Sequence, residues 1–515
     1  MKTRHLSLSR RASRWAVLPL GWLLATLVGV GAGPASHAAE VPAGALQGLQ
    51  STAAQLRLTA ERVKLPGSET MGLVGTSYLV EIAPGWSFGP AAYGAITGER
   101  GGLFTVGAEL GGYRRLSGPL GLDVGVYLGG GGGGSAPVGS GLMLRPHADL
   151  VWDFAGQRAG LSVSRVRFSE GRIDSTQVGL VWTALTDFRH VGAAGLGDRQ
   201  TIKQRSGIGF DRMQAVVGAY QPRSGSQRLD GRPLEGRIGF AGARFERALG
   251  EHLFWGLEAA GAASGGVAGY AEYLGTVGLE SEWLPNRLYV GTRLAAGMGG
   301  GGEVDVGGGL LLKGGVYGTL RLAGDLGLTV EAGLARSPQG RFEATYTSAS
   351  LVWVLDERRR SLVDRGPAIR MEWVGGFERY PAVRRDGSTR DLRAVSLRVN
   401  RFVSERLYLT GQAHSALGGG AGGYSVGLLG AGYQQRWGRW QAGAEALVGA
   451  AGGGGVDTAG GLVAQPMVYA GYALSPDLAL RVGGGRIEAL RGPLSGNVFE
   501  VSLAYTFGVG GRGGR

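Results

Sequence analysis

His147, Asp149 and Asp153 lie two and four residues apart, so in an extended chain all three side chains leave the same face. An imidazole beside carboxylates is the material of general acid–base chemistry. Ser162 and Ser164 are the nearest hydroxyls, but nothing in the sequence activates either one. Two related segments further along the chain carry Gly315 and Met467 where this one has His147. Catalysis is therefore not expected, and the chain reads as a protein that is not an enzyme. Asp305 and Asp457 follow two glycine runs and could help hold a cation, but after the first run that place is taken by Ala136-Pro137. The runs are not phosphate loops either: they precede strands, and no Gly-Lys-Ser/Thr follows them. No metal and no cofactor are expected.

The strand that would position these residues is the clearest in the chain. Leu142, Leu144, Ala148, Leu150, Trp152 and Phe154 point one way; Met143, Arg145, His147, Asp149, Val151 and Asp153 point the other. One face suits hydrocarbon and the other water, as in the wall of a transmembrane barrel. This strand ends a unit, Leu120–Phe154, centred on Gly129–Gly134. The unit returns at Leu288–Leu322 around Gly299–Gly302, and again at Trp440–Leu474 around Gly452–Gly455. A repeat of roughly 150–170 residues is too long for a solenoid and reads as triplication of a many-stranded sheet. The glycines supply tight hairpins; they leave a mouth unobstructed, or fit a partner closely.

Alternation in the other strands puts further charged residues on the polar face. Repeat one contributes Glu109, Asp123, Arg145, His147, Asp149 and Asp153. Repeat two contributes Glu258, Arg293, Lys313 and Glu331, and repeat three Glu372, Arg398, Glu445, Arg481 and Glu500. Both signs are mixed, which predicts a weakly selective lumen lining and no single-sign ring.

Composition narrows the class. Of 515 residues 101 are Gly, without a Gly-X-Y period, and the hydrophobic share of 43% is too high for a disordered linker. There is no Cys, so disulfide frameworks and thiolate metal sites are excluded. The net charge of +13 is swollen by Lys2, Arg4, Arg10, Arg11 and Arg14, and no lysine-rich run points to nucleic acid. Those five charges, the apolar segment that follows and the small residues ending at Ala38 form a secretory signal peptide. Beyond it no apolar run is long enough to span as a helix, so a membrane location requires a barrel.

The expected organisation is a signal peptide at 1–38, a tether at 39–54, a barrel at 55–507 and a Gly/Arg tail at 508–515. The barrel divides into repeats at about 55–185, 209–356 and 368–507. Short turns alternate with longer loops, except at two joints, Thr186–Arg212 and Asp356–Ala368. Arg358-Arg359-Arg360, in the second joint, reads as a solvated basic turn. An even strand count requires Gln55–Leu65 to be a strand, giving about 24 in all.

In the last strand Phe499, Val501, Leu503, Tyr505 and Phe507 alternate with Val498, Glu500, Ser502, Ala504 and Thr506. This aromatic-ended strand resembles the assembly signal of Gram-negative outer-membrane β-barrel proteins, although Gly508–Arg515 follow where such chains usually stop. The resemblance implies an antiparallel transmembrane barrel in the outer membrane, with membrane lipids and the outer-membrane assembly machinery as partners. The expected architecture is one all-β barrel of about 24 strands. The expected function is a wide, weakly selective transport or export pore passing something large, such as a secreted polymer or protein, with an exported polymer or an unidentified periplasmic protein as a further partner. Inward glycines such as Gly107, Gly125, Gly291 and Gly443 favour the wide lumen. A structural or adhesive surface barrel, in the form of three linked eight-stranded barrels, is the alternative. A lipid-modifying enzyme resting on His147 is the third.

Overall fold

A computed structural model describes residues 49–197, 199–201, 206–355 and 365–510. The signal peptide, most of the tether and Arg358-Arg359-Arg360 lie outside the described residues. Apolar–polar alternation punctuated by Gly and Pro turns gives strands almost throughout. The first eight are β1 (Leu49–Lys64), β2 (Thr70–Ala83), β3 (Trp86–Thr97), β4 (Phe104–Ser117), β5 (Leu120–Gly132), β6 (Met143–Phe154), β7 (Gln157–Phe168) and β8 (Asp174–Gly192). A short β9 (Arg199–Thr201) follows. Next come β10 (Arg212–Pro222), β11 (Ile238–Ala248), β12 (Leu253–Ala262), β13 (Ala271–Leu284), β14 (Leu288–Gly300), β15 (Leu310–Ala323), β16 (Leu326–Arg336) and β17 (Glu343–Val354). After a short β18 (Arg365–Pro367), the chain ends with β19 (Ile369–Val383), β20 (Thr389–Phe402), β21 (Leu407–Gly418), β22 (Ser425–Trp437), β23 (Trp440–Gly452), β24 (Leu462–Ala473), β25 (Leu478–Ala489) and β26 (Ser495–Val509). The parity argument for a first strand holds, and that strand starts earlier than expected, within the predicted tether. The first joint is also shorter than expected, because β8 runs on to Gly192.

The expected single closure does not form. The eighth strand of each repeat pairs with its own first strand: β1 with β8 from Leu49↔Val191 to Glu61↔Gly179, β10 with β17 from Arg212↔Val354 to Pro222↔Ala344, and β19 with β26 from Ile369↔Val509 to Arg379↔Phe499. The chain is three closed antiparallel barrels of eight strands, a size whose interior side chains just fill. Barrels one and three share one short pairing, Phe507↔Gly192 and Gly508↔Val191, and β9 pairs with β18 between the joints.

The inward glycines do not open a wide lumen. Gly125, Gly291 and Gly443 each make room for a bulky side chain from a neighbouring strand, while Gly107 lies against the backbone of Leu128 and Gly129. A methyl group at Gly291 would meet the Tyr317 ring, one at Gly443 the Tyr469 ring, and one at Gly125 the His147 imidazole. The small residue and the large one fill the lumen together, so glycine here marks tight packing.

The outer walls carry the apolar set. Leu150, Leu161, Val178, Leu279, Leu294, Val330, Val468 and Leu503 are all exposed, and Trp86, Trp152, Trp283, Trp437 and Trp440 ring the short-turn ends. Apolar surface this continuous belongs in lipid, and aromatic girdles mark its boundary. Among the described residues no helix is long and apolar enough to cross a membrane.

At the long-loop end the glycine runs do fit a partner closely, and the partner is the next barrel. The hairpin after β5 receives the loop after β21: Gly423 donates to the Gly131 carbonyl at 3.0 Å, and Gly422 to that of Gly139 at 3.1 Å. The hairpin after β14 receives the loop after β3, with Gly101 donating to the Gly307 carbonyl at 2.9 Å. The hairpin after β23 receives the loop after β12, where a Cβ at Gly269 would strike the backbone of Gly452 and Gly453. Hairpin one takes barrel three, hairpin three takes barrel two, and hairpin two takes barrel one. The head-to-tail contacts therefore close into a ring, as in a cyclic trimer fused into one chain. Gly102, at φ +89, shows why glycine is needed: a side chain there would be strained and would also collide with Gly300 and Gly301.

Candidate functional site

Each lumen is a packed layer of charge, with its own donors and acceptors. In barrel one, Arg57 on β1 sits among residues from β4, β5 and β6. Its Nη2 donates to Nδ1 of His147 at 3.0 Å and to the Asp149 carboxylate, while Nε lies 3.4 Å from Glu109 and Nη1 3.5 Å from Asp123. Arg145 forks onto Glu61 at 2.8 and 2.9 Å, and Ser164 donates to the same carboxylate at 2.5 Å. Asp153 stands apart at the short-turn mouth, held by Tyr113 at 2.5 Å and Arg158 at 2.8 Å.

Barrel two packs its cations between glutamates. Arg244 bonds Glu258 at 2.8 Å and Glu331 at 3.1 Å; Arg293 bonds Glu246 at 2.5 Å and pairs with Glu331; Lys313 bridges Glu258 at 2.7 Å and Glu272 at 2.8 Å. Tyr346 and Tyr220 donate to Glu331 and Glu272. In barrel three Arg398 joins Glu445 at 2.7 Å to Glu500 at 2.5 Å, Arg481 donates to Glu372 at 2.7 Å, and His414 meets Glu378 at 2.7 Å.

All the residues expected to line a lumen do face one, but three different lumens, and all except Asp153 are buried. They pair within their own lumens, partly with residues not expected there, such as Arg57 and Glu61, and fill the interior. Sequence reasoning missed Arg57, Glu61, Arg244, Glu246, Glu272, Glu378 and His414. Arg244 was findable in principle, since register places it directly opposite Glu258.

The loop ends are closed. Val138, Leu65 and Ile173 cap barrel one; Val304, Val306, Leu234 and Phe342 cap barrel two; Val456, Ala421 and Leu494 cap barrel three. An arginine ties down each cap: Arg100 to the Ser135 carbonyl and Glu69, Arg228 to the Gly266 carbonyl and Glu303, and Arg384 to the carbonyls of Gly419 and Gly454. Burial, and then neighbouring Arg390, draws the Arg384 guanidinium below its ordinary pKa. The short-turn ends are more open, with cavities of about 410 Å³ at the mouth of barrel one and about 450 Å³ at that of barrel three.

On the proposed assembly strand, Phe499, Val501 and Leu503 are exposed on the outer wall. Tyr505 is partly buried, and Phe507 is fully buried between barrels. The Phe507 ring lies 5.2 Å from Phe188 of barrel one and 5.1 Å from Trp373 of barrel three.

The buried pairs carry a prediction. Replacing Arg398 by Met leaves Glu445 and Glu500 facing each other without a cation, and breaking a buried pair from one side costs about 3–5 kcal/mol. Urea unfolding of the purified protein in lipid vesicles should show barrel three unfolding first. The triple variant R398M/E445Q/E500Q should recover part of the loss.

No family model matches the chain, and no curated relative matches it. Solved structures similar to it include the outer membrane protein opdK from Pseudomonas aeruginosa, at 10% identity over 88% of this chain and 98% of that one, with a TM-score of 0.22. Others are the ferric enterobactin receptor PfeA of Pseudomonas aeruginosa in complex with enterobactin (11% identity, 90% and 82% covered, TM-score 0.28) and the siderophore receptor PirA from Acinetobacter baumannii (9%, 88% and 80%, 0.27). Function rests on this chain's own geometry.

Proposed function

We propose that this chain is an integral protein of the Gram-negative outer membrane that serves as a rigid three-barrel surface body and not as a wide pore. The observation that carries this is the state of the lumens: each sheet closes after eight strands, packs its interior with ion pairs and is capped at the loop end. A lumen of this size holds side chains in place of a water column. The apolar outer walls and the short-turn girdle of tryptophan support a bilayer location. The predicted signal peptide and the aromatic-ended last strand supply an export route and an assembly signal, with membrane lipids and the assembly machinery as partners. The seamed glycine hairpins then form a broad, stiff face outside the cell, suited to structural or adhesive work.

Transport through a single barrel is the second possibility, favoured by the cavities at the short-turn mouths of barrels one and three. It would require opening the Arg–Glu layers. Lipid modification fits less well, because His147 faces the lumen of barrel one and lipid lies on the other side of the wall.

Single-channel recording of the purified protein in planar bilayers tests this. The expected result is no conductance step of porin size. Large, weakly selective steps would restore the wide-pore function and refute the filled-barrel one.

A further inference from the structure

We propose that barrel one binds a divalent first-row metal cation through Asp123, His147 and Asp149. Donor atoms of these three residues lie within 4.8 Å of one another, and all three are buried. Metal–ligand bonds of about 2.0–2.2 Å bring opposed donors to about 4 Å, so small side-chain adjustments suffice.

Charge gives the first reason. Three carboxylates, Glu109, Asp123 and Asp149, face one guanidinium, that of Arg57, while Arg145 is already forked onto Glu61. Even with His147 counted as a cation beside Glu109 and Asp149, one negative charge is left without a counter-charge in this buried layer, where an uncompensated charge is expensive. Barrel three, by contrast, divides four glutamates, Glu372, Glu378, Glu445 and Glu500, among Arg370, Arg398, Arg481 and His414.

Unused donor and acceptor atoms give the second. Oδ1 of Asp123, Oδ1 of Asp149, Nε2 of His147 and Oγ of Ser162 are buried and lack a hydrogen bond of ordinary geometry; Asp123 Oδ1 and His147 Nε2 have only the loose contacts to Arg57 and Glu109, each at 3.5 Å. They cluster because register sets Asp123 opposite Asp149, and Asp149 opposite Ser162. The third reason is that the set is particular to barrel one. The same rung pairs Gly291 with Tyr317 in barrel two and Gly443 with Tyr469 in barrel three, and Gly315 and Met467 stand where His147 does. A lumen that needed only filling would have kept the Gly–Tyr pair.

Glu109, which also accepts from Tyr93 at 3.0 Å, can retain Arg57 when Asp149 and His147 turn to the ion. One imidazole with carboxylates suits Zn²⁺ or Mn²⁺ better than Ca²⁺, which prefers oxygen alone. Entry would be from the short-turn mouth, where Asp153 lies on the same face of β6.

The test uses the full chain in detergent, stripped with chelator and titrated calorimetrically with Zn²⁺, Mn²⁺ and Ca²⁺. Metal content is measured in parallel by mass spectrometry, and folding is checked by heat-modifiable gel migration. The expected result is about one Zn²⁺ per chain, with Mn²⁺ weaker and Ca²⁺ not bound. H147Q should weaken Zn²⁺ by at least about tenfold, and D123N/D149N should abolish binding. D305N and D457N, which alter loop acids, should bind like the parent. Should the double variant not fold, D123N alone serves in its place. Absence of saturable binding would overturn the site. So would retention of binding in both H147Q and the folded aspartate variant, and Ca²⁺ binding that ignores H147Q would remove the imidazole from it.

Discussion

Residues 209–356, expressed alone and refolded in detergent, will give a stable eight-stranded barrel whose gel migration shifts on heating. The single-barrel expectation required the opposite: a fragment with two open edge strands should aggregate. In the structure β10 and β17 pair along their whole length, so the fragment has no open edge. Its interior charge is also self-contained. Arg244, Arg293 and Lys313 find Glu246, Glu258, Glu272 and Glu331 within the same unit. Its loop-end cap, with Leu234, Val267, Val304 and Phe342, is likewise its own. What the fragment loses are the two glycine seams and the Tyr273–Phe104 ring contact at 5.0 Å, which lie on its surface. Loss of an interface should cost ring formation and leave closure intact. Aggregation, or migration unchanged by heating, would mean that closure depends on the neighbouring barrels.

The contrast between that result and the sequence expectation shows where sequence reasoning ends. Alternation along Leu142–Phe154 assigned each side chain of β6 to the correct face, because period two is a local property of an extended chain. Which strand closes on which is not local. An eighth strand that pairs with strand one or with strand nine has the same alternation and the same turn, so 24 strands in one ring and three rings of eight read alike. Read strand by strand the inward glycines point to the wide ring, yet Gly291 and Gly443 are small only because Tyr317 and Tyr469 lean over them from the next strand. Register would have paired them. The lumen charges were legible one strand at a time, but not that Arg57 would gather Glu109, Asp123 and Asp149, because that requires knowing that β1 returns to β8. The glycine runs read first as tight hairpins, with an unobstructed mouth or a close fit to a partner as the alternative. Their partners, the loops carrying Gly101, Gly269 and Gly423, were not legible, for the same reason.

Deletion of Val498–Phe507 will abolish membrane assembly of the whole chain, although it removes a strand from only one barrel. Three losses fall together. Barrel three opens between β25 and β19, exposing two edges that had been paired along their length. Arg398 loses Glu500 and keeps only Glu445, which disturbs the charge layer that fills the lumen. Phe507 leaves the aromatic cluster with Phe188 and Trp373, and its pairing with Gly192 goes with it, so barrel one loses its short-turn contact with barrel three. The strand is also the proposed assembly signal, which would act before any barrel closes. Removing residues 511–515 separates the tail from the strand, and that variant should assemble normally. The measurement is outer-membrane fractionation with heat-modifiable migration of the recovered protein. Limited proteolysis then asks whether barrels one and two survive as protected fragments. Normal assembly of the Val498–Phe507 deletion would show that neither closure of barrel three nor its last strand is needed. Protected fragments of barrels one and two outside the membrane would show that the strand is required for insertion and not for folding of its neighbours.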